Sequence, residues 1–183
     1  MTVINRTMNN LRRNQMAAYY VETAAEVPAL VETMLHEGDT VTHGGSESIK
    51  ECGVIDLLKS GKYNYIDRAS ATTPEEADKL MREAYFADAY FASANAVTEG
   101  GLLYNVDGNS NRVSAIAQGP KKVIFVVGMN KVCDDLDGAM KRARNVAAPI
   151  NAQRFGLSTP CAKTGACMDC KSPDTICCQF LIT

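Results

Sequence analysis

The chain has 183 residues, 19 basic and 21 acidic, a formal net charge of −2 and a pI near 5.7. That size fits one domain with room for a real core, and the charge balance lacks the basic face that holding nucleic acid by bulk electrostatics requires. A hydrophobic content of 46% against 22% charged residues excludes wholesale disorder, and no run of like charge supports a calcium cage or an acidic tail.

In chain order, Met1 to Asn14 offers no apolar core for a secretory leader, and Asn5 to Gln15 reads as a surface helix packing a narrow stripe of Met8, Leu11 and Met16. Ala18 to Glu22 is rich in aromatic and β-branched character and reads as a short strand. Thr23 is placed to cap a helix carrying Val27, Leu30, Val31, Met34 and Leu35, with Pro28 in its first turn and Gly38 beyond its end. Thr40 to His43 is a strand leading through Gly44, Gly45 and Ser46 into a second helix, and Tyr63 to Ile66 is a further strand. Thr73-Pro74-Glu75-Glu76 is a strong helix start. Ala89 to Ala92 and Val123 to Val127 lack polar alternation and read as buried strands; the latter run also falls far short of the ~20 residues of a membrane-spanning helix. Asp134 to Val146 reads as a helix with Lys141, Arg142 and Arg144 toward its end, where basic charge suits the dipole.

Strands separated by helical stretches imply βαβ units, so the expected fold is α/β with a mostly parallel sheet flanked by helices. Composition changes near Ala148: Pro149, Pro160 and Pro173 break the chain, and five of the seven cysteines lie from Cys161 to Cys178. The expected organisation is an α/β domain over residues 1–148 and a cysteine-rich segment over 149–183 packed on it. The cytoplasm is the default address, where stable disulfides are rare, and an odd cysteine count cannot pair completely within one chain.

Cys161, Cys167, Cys170 and Cys177, with Cys178 adjacent, place thiols in a Cys-x5-Cys-x2-Cys-x6-Cys array. Soft thiolates select zinc, cuprous copper or iron–sulfur clusters. Only one close pair is present, whereas zinc ribbons pair their ligands, so staggered single cysteines suit a cubane cluster somewhat better. Inert buried thiols are the alternative, and the favoured one for Cys52 and Cys133 on their helix-like segments.

Three loops are candidate ligand sites. Gly44, Gly45 and Ser46 between a strand and a helix could receive an anion, or form an ordinary capped turn. Asn95, Thr98, Glu99, Asn105, Asp107, Asn111 and Arg112 crowd polar groups around what is otherwise a hairpin. Asn130 and Lys131 follow an apolar strand at the position where open α/β sheets bind ligands.

The runs HGGSESIKECGVID (His43 to Asp56), ADAYFASANAVTEGGLLYNVDGNSNRV (Ala87 to Val113), GPKKVIFVVGMNKV (Gly119 to Val132) and TPCAKTGACMDCKSPDTICC together resemble the lactate-utilisation (LUD) domain family. The resemblance implies a fold like that of NagB, ribose-phosphate isomerase and CoA-transferases. It also implies a place in bacterial oxidation of lactate to pyruvate alongside iron–sulfur partners. The family's motifs fall on Gly44-Gly45-Ser46, on Asn95 to Gly101, on Asn105, Asp107 and Gly108, on Asn111-Arg112, and on Gly128, Asn130 and Lys131. The adjacent Cys177 and Cys178 leave open which is the fourth ligand.

Three functions compete at this point. The first is a redox or accessory component of organic-acid metabolism with an iron–sulfur cluster, of the [4Fe–4S] kind, on Cys161, Cys167, Cys170 and Cys177 (Cys178 the alternative), meeting iron–sulfur redox subunits. The second is a CoA-transferase-like or isomerase-like enzyme acting on a small carboxylate or phosphorylated ligand, with Glu99 as nucleophile and Gly44 to Ser46 as the binding loop. The third is a non-catalytic subunit stiffened by zinc. Homo-oligomerisation is compatible with all three.

Overall fold

The structure, a computed structural model, describes residues 1–183. Its strands are β1 (Thr40–His43), β2 (Asn64–Tyr65), β3 (Ala89–Ala92), β4 (Ala96–Thr98), β5 (Leu103–Asp107), β6 (Lys122–Phe125), β7 (Val132–Cys133) and β8 (Gln179–Ile182). Its helices are α1 (Val3–Arg13), α2 (Val27–Glu32), α3 (Glu47–Glu51), α4 (Val54–Leu58), α5 (Pro74–Glu83), α6 (Asn111–Gln118), α7 (Leu136–Arg142), α8 (Ala148–Arg154) and α9 (Pro160–Thr164). None is long and apolar enough to cross a membrane. The chain divides into two compact units, neither continuous in sequence: Met1–Tyr19, Ala94–Val113 and Gly128–Thr183 form one, Tyr20–Ser93 and Ser114–Val127 the other.

The unit built on Tyr20–Ser93 holds a four-stranded sheet in the order β2-β1-β3-β6, parallel at every pairing. Alternation along β3 sends its large side chains to opposite faces. Phe91 packs with Val31, Leu35, Val41, Ile49, Val54 and Leu58 on one side, and Tyr90 packs with Ala84, Ala92 and Ala115 on the other. Apolar clusters on both faces are what a parallel sheet needs, because its crossovers lay helices over each side. The cap signals work as expected: Thr23 and Glu26 form a reciprocal capping box, and Thr73 accepts the Glu76 amide ahead of Pro74 in α5.

The other unit holds a mixed sheet in the order β7-β4-β5-β8. The expected hairpin is β4–β5, antiparallel, and β8 adds antiparallel to β5 while β7 joins β4 in parallel. α7 covers one face, where Ala139 and Ala143 meet Ala96, Tyr104 and Val106, with Cys177 half-buried against them. The C-terminal segment thus ends as a strand of this sheet. Thr183 and Leu103 exchange both backbone hydrogen bonds, at 2.8 and 3.1 Å. The observed class is α/β with a mostly parallel first sheet flanked by helices, as the sequence pattern implies.

Four local expectations differ. Ala18 to Glu22 forms no strand; Tyr19 and Tyr20 are exposed with no neighbouring strand to pair, and β propensity has force only on a surface that packs. The Val123 run forms a strand only to Phe125 and is half-buried, because β6 is an edge strand. The helix from Leu136 does not stop near Val146: it widens into a π-turn over Ala143–Ala147 and continues as α8, with Pro149, which has no amide to give the preceding turn, directly after the widened stretch. Cys133 lies on β7, not on a helix.

Candidate functional site

The polar residues of the β4–β5 hairpin turn toward one another. Asp107, almost fully buried, takes the Asn109 amide on Oδ1 at 2.9 Å, and the Arg112 and Val113 amides on Oδ2 at 3.0 and 3.1 Å. It thereby satisfies the amides opening α6, the helix that Asn111 begins. The Arg112 guanidinium donates to Asn105 Oδ1 at 2.7 Å, to Asn95 Oδ1 at 3.1 Å and to the Val106 carbonyl at 2.7 Å, with Asp107 Oδ2 at 4.0 Å from Nε. Asn95, Asn105, Asp107 and Arg112 are therefore one buried network. Arg112 fixes the orientation of the Asn105 amide, since only its oxygen can accept. Asn105 Nδ2 is left with no partner, and so are Gln179 Oε1 and Thr183 Oγ1, whose side chains alternate onto the same face of the sheet by register.

Two more sequence candidates brace the hairpin's turn. Thr98 Oγ1 accepts the Leu102 amide at 3.0 Å. Glu99 ion-pairs with Arg6 at 2.7 Å, and its carbonyl accepts from Asn10 Nδ2 at 2.7 Å. Asn14 donates to the Gly101 carbonyl at 2.9 Å. α1 is thus laid along this turn by Arg6, Asn10 and Asn14, three residues that the sequence reading left as a polar helix surface. A carboxylate already held by a guanidinium is a subdued nucleophile, so the Glu99 geometry lends little to acyl transfer.

Asn130 and Lys131 sit in a one-turn 3-10 segment, Met129–Lys131. The Asn130 carbonyl is bound by Arg142 Nε at 3.1 Å, and Arg142 Nη1 binds the Asn95 carbonyl at 2.5 Å. Arg142 therefore ties two candidate loops to α7. The sequence suggested only a helix-dipole role for it.

Gly44, Gly45 and Ser46 belong to the parallel-sheet unit. The Gly44 amide donates to the Phe91 carbonyl at 2.9 Å, Ser46 accepts the Ile49 amide at 3.4 Å, and Gly45 has open space where a Cβ would stand. Beside them, His43 Nδ1 lies 2.8 Å from the Gly44 carbonyl and Nε2 lies 2.8 Å from the Tyr65 hydroxyl, with the two rings stacked at 5.9 Å. A carbonyl only accepts, so neutral His43 carries its proton on Nδ1 and Tyr65 donates to Nε2. Lys59 stands 5.6 Å over the Tyr65 ring and 3.0 Å from Asp67. Burial, then the charge of Asp67, push the Tyr65 phenol up to about 12. A folded pKa above the unfolded value of about 10 means that this contribution to stability is complete below pH ~10 and lost as pH rises through about 12. The urea midpoint is expected to fall across that window in the native protein and to fall less in Tyr65→Phe. An equal fall in both would assign the loss to other groups.

The cysteine segment is seated on the hairpin. The Cys178 amide donates to the Asp107 carbonyl at 3.1 Å, and a Cβ on Gly108 would stand 3.1 Å from Ile176 Cα. The Asp107-Gly108 pair thus forms the platform on which residues 176–178 lie. Cys161 is buried in the first turn of α9, its sulfur 3.3 Å from the Thr159 hydroxyl, and Gly165 closes that helix in the left-handed region. Asp169 is also left-handed, at φ 50°, turning the chain between Cys167 and Cys170. Burial, followed by the nearby thiols of Cys167, Cys161 and Cys170, raises the Cys177 thiol above its usual value. Cys177 is therefore within charge reach of the other three. Cys178 is exposed, its sulfur donating to the Thr175 carbonyl at 3.3 Å. No three His, Cys, Asp or Glu side chains are gathered closely enough to hold a single ion. Arg144, from the π-turn, ion-pairs with Asp169.

A family model described as the LUD domain matches residues 4–183. No curated protein matches the chain. Among solved structures, a DUF162 family protein from Deinococcus radiodurans is similar at 15% identity and a TM-score of 0.50, over 85% of this chain and 80% of that one. The δ subunit of eIF2B from Chaetomium thermophilum is similar at 16% identity and a TM-score of 0.43, over 77% of this chain and 57% of that one.

Proposed function

Because the chain belongs to the LUD domain family, whose members are related to lactate utilisation, we propose that it is a redox or accessory subunit in lactate or organic-acid oxidation that carries a cysteine-ligated iron–sulfur cluster. The observation that carries this reading is the reach of Cys177 to Cys161, Cys167 and Cys170, on a segment fixed by Asp107 and Gly108. A Cys177 thiol raised by burial and by three neighbouring thiols suits a centre whose positive charge reverses that penalty.

Bound there, the cluster would supply one-electron transfer. The chain's own residues do the rest. α9 carries Cys161 in the interior, a left-handed Asp169 lies between Cys167 and Cys170, and the Asp107 carbonyl holds the segment that carries Cys177. The partner on this reading is an iron–sulfur redox subunit that exchanges single electrons with this one.

The test is anaerobic purification with metal and acid-labile sulfide analysis, and visible spectra before and after dithionite. Iron with sulfide and a band near ~400 nm that dithionite bleaches are expected of a cysteine-held cluster. Stoichiometric zinc without iron, or no metal, would overturn the redox role.

A further inference from the structure

We propose that the exposed face of α8 is a docking surface for a second copy of this chain, which enters through its acidic unit with Phe86 as the apolar anchor. The surface is one that the cysteine reading does not use, and its test is independent of any metal.

The chain divides its charge unevenly. The unit made of residues 1–19, 94–113 and 128–183 carries eleven basic and seven acidic residues, and the other carries eight basic and fourteen acidic. Their net charges are therefore +4 and −6, which together give the −2 of the whole chain. The imbalance is sharpest from Gly138 to Met168, a stretch that holds Lys141, Arg142, Arg144, Arg154 and Lys163 and no acidic residue.

α8 runs through the middle of that stretch. Ala148, Pro149 and Ala152 are its buried side. Val146, Ile150 and Arg154 follow one another at four-residue intervals, the spacing that stacks side chains along one helix face, and all three are exposed. The Arg154 guanidinium lies over the Phe155 ring at 4.5 Å, so the stripe ends in a cation resting on an exposed aromatic face. Lys163, on α9 packed beside α8, adds a further exposed cation. Ile150 and Phe155 are each 57% exposed. Apolar side chains left in water and rimmed by charge are the composition of an interaction site.

Docking α8 on a second α8 would set these cations against one another. The complement has to be both acidic and apolar, and the other unit has one. Phe86 is 86% exposed, more than any other large apolar side chain in the protein. It closes the 3-10 turn Ala84–Phe86 that extends α5, a helix bearing Glu75, Glu76, Asp78 and Glu83. Lys79 and Arg82 of α5 are paired with Glu83 and Asp78, so Glu75 and Glu76 set the helix's excess negative charge. Aromatic anchors surrounded by matched charge are the usual energetic centre of an interface. Because the two surfaces differ, the contact is head-to-tail, each copy giving one surface and receiving the other.

The experiment is sedimentation velocity of the native protein, of Phe86→Ser, of Ile150→Asp and of the two variants mixed in equal amounts, over a concentration series at low and high salt. The native mass is expected to rise above 19.8 kDa with concentration and to fall back at high salt, which screens the charge attraction. Each variant alone should associate about tenfold or more weakly than the native protein. Phe86→Ser keeps the α8 stripe and Ile150→Asp keeps Phe86, so the mixture can make one native contact and should stop at a dimer. Both substitutions fall at exposed positions, where the fold tolerates change, and near-UV circular dichroism of each variant checks that it does. A native protein that stays monomeric throughout would overturn the proposal. Phe86→Ser associating as the native protein does would overturn the role of Phe86 and assign the stripe to another surface. Folded variants that fail to pair when mixed would overturn the head-to-tail contact.

Discussion

Cys177→Ala is expected to abolish iron binding and the visible band, while Cys178→Ala keeps both. The two residues are neighbours at the bend leading into β8, and their burial differs. Cys177 is the one turned inward, half-buried against Tyr104, Val106 and Ala143. It also lies within charge reach of Cys161, Cys167 and Cys170. Cys178 is exposed and spends its thiol on the Thr175 carbonyl, while its amide anchors the segment to Asp107 through the backbone, a bond that alanine retains. Removing one of four thiolates leaves the remaining three unable to close the site. The expected loss is therefore near-complete rather than graded. Iron content, sulfide content and near-UV circular dichroism of both variants provide the measurement. Iron loss in Cys178→Ala with retention in Cys177→Ala would exchange the two assignments. Retention in both would remove the tail from metal binding.

Much of the fold was legible locally. Thr23 with Glu26, Thr73 ahead of Pro74, and Asp135, which accepts the Gly138 amide at 2.8 Å, are caps whose chemistry is complete within four residues, and each marks a helix as expected. Ala89 to Ala92 announced a doubly covered strand by having no polar face. What escaped is non-local. β8 pairs with β5 across some seventy residues of chain, and nothing near Gln179 signals that partner. The edge position of β6 likewise depends on which strands flank it, so the Val123 run looked more deeply buried than it is.

The residue types of the candidate loops have two meanings. Asn, Asp, Gly and Arg are wanted both by ligand sites and by tight polar networks, since each satisfies backbone groups as readily as a bound anion. In this chain Asp107 caps α6 with its carboxylate and seats the cysteine segment with its carbonyl, and Gly108 makes room for Ile176. The run Asn105 to Arg112 is thereby the support of the cysteine segment. Arg142 and Arg144 were legible only as basic residues late in a helix, because the π-turn that follows α7 leaves no local mark on the sequence.

Gly101→Ala tests how closely α1 is laid against the hairpin. Gly101 has φ +83°, a conformation alanine adopts only with strain, and a Cβ built on it stands 2.5 Å from the Asn10 carbonyl carbon and 2.6 Å from the Leu11 nitrogen. These are backbone atoms of a helix, which cannot swing aside as a side chain can. The left-handed strain and the overpacking each contribute, and together they are expected to cost about 3 kcal/mol, a fall in Tm of roughly 6–12 °C for a chain of this size. Displacing α1 would also stretch the bonds from Asn10 to the Glu99 carbonyl and from Asn14 to the Gly101 carbonyl, now 2.7 and 2.9 Å. Gly45→Ala is the control: it meets nothing within 4 Å and has ordinary backbone angles, so its effect should stay within about 0.5 kcal/mol. Thermal unfolding of the two variants beside the native protein separates a glycine required by contact from one tolerated in a loop. A Gly101→Ala protein as stable as Gly45→Ala would mean that α1 does not press on the turn as described.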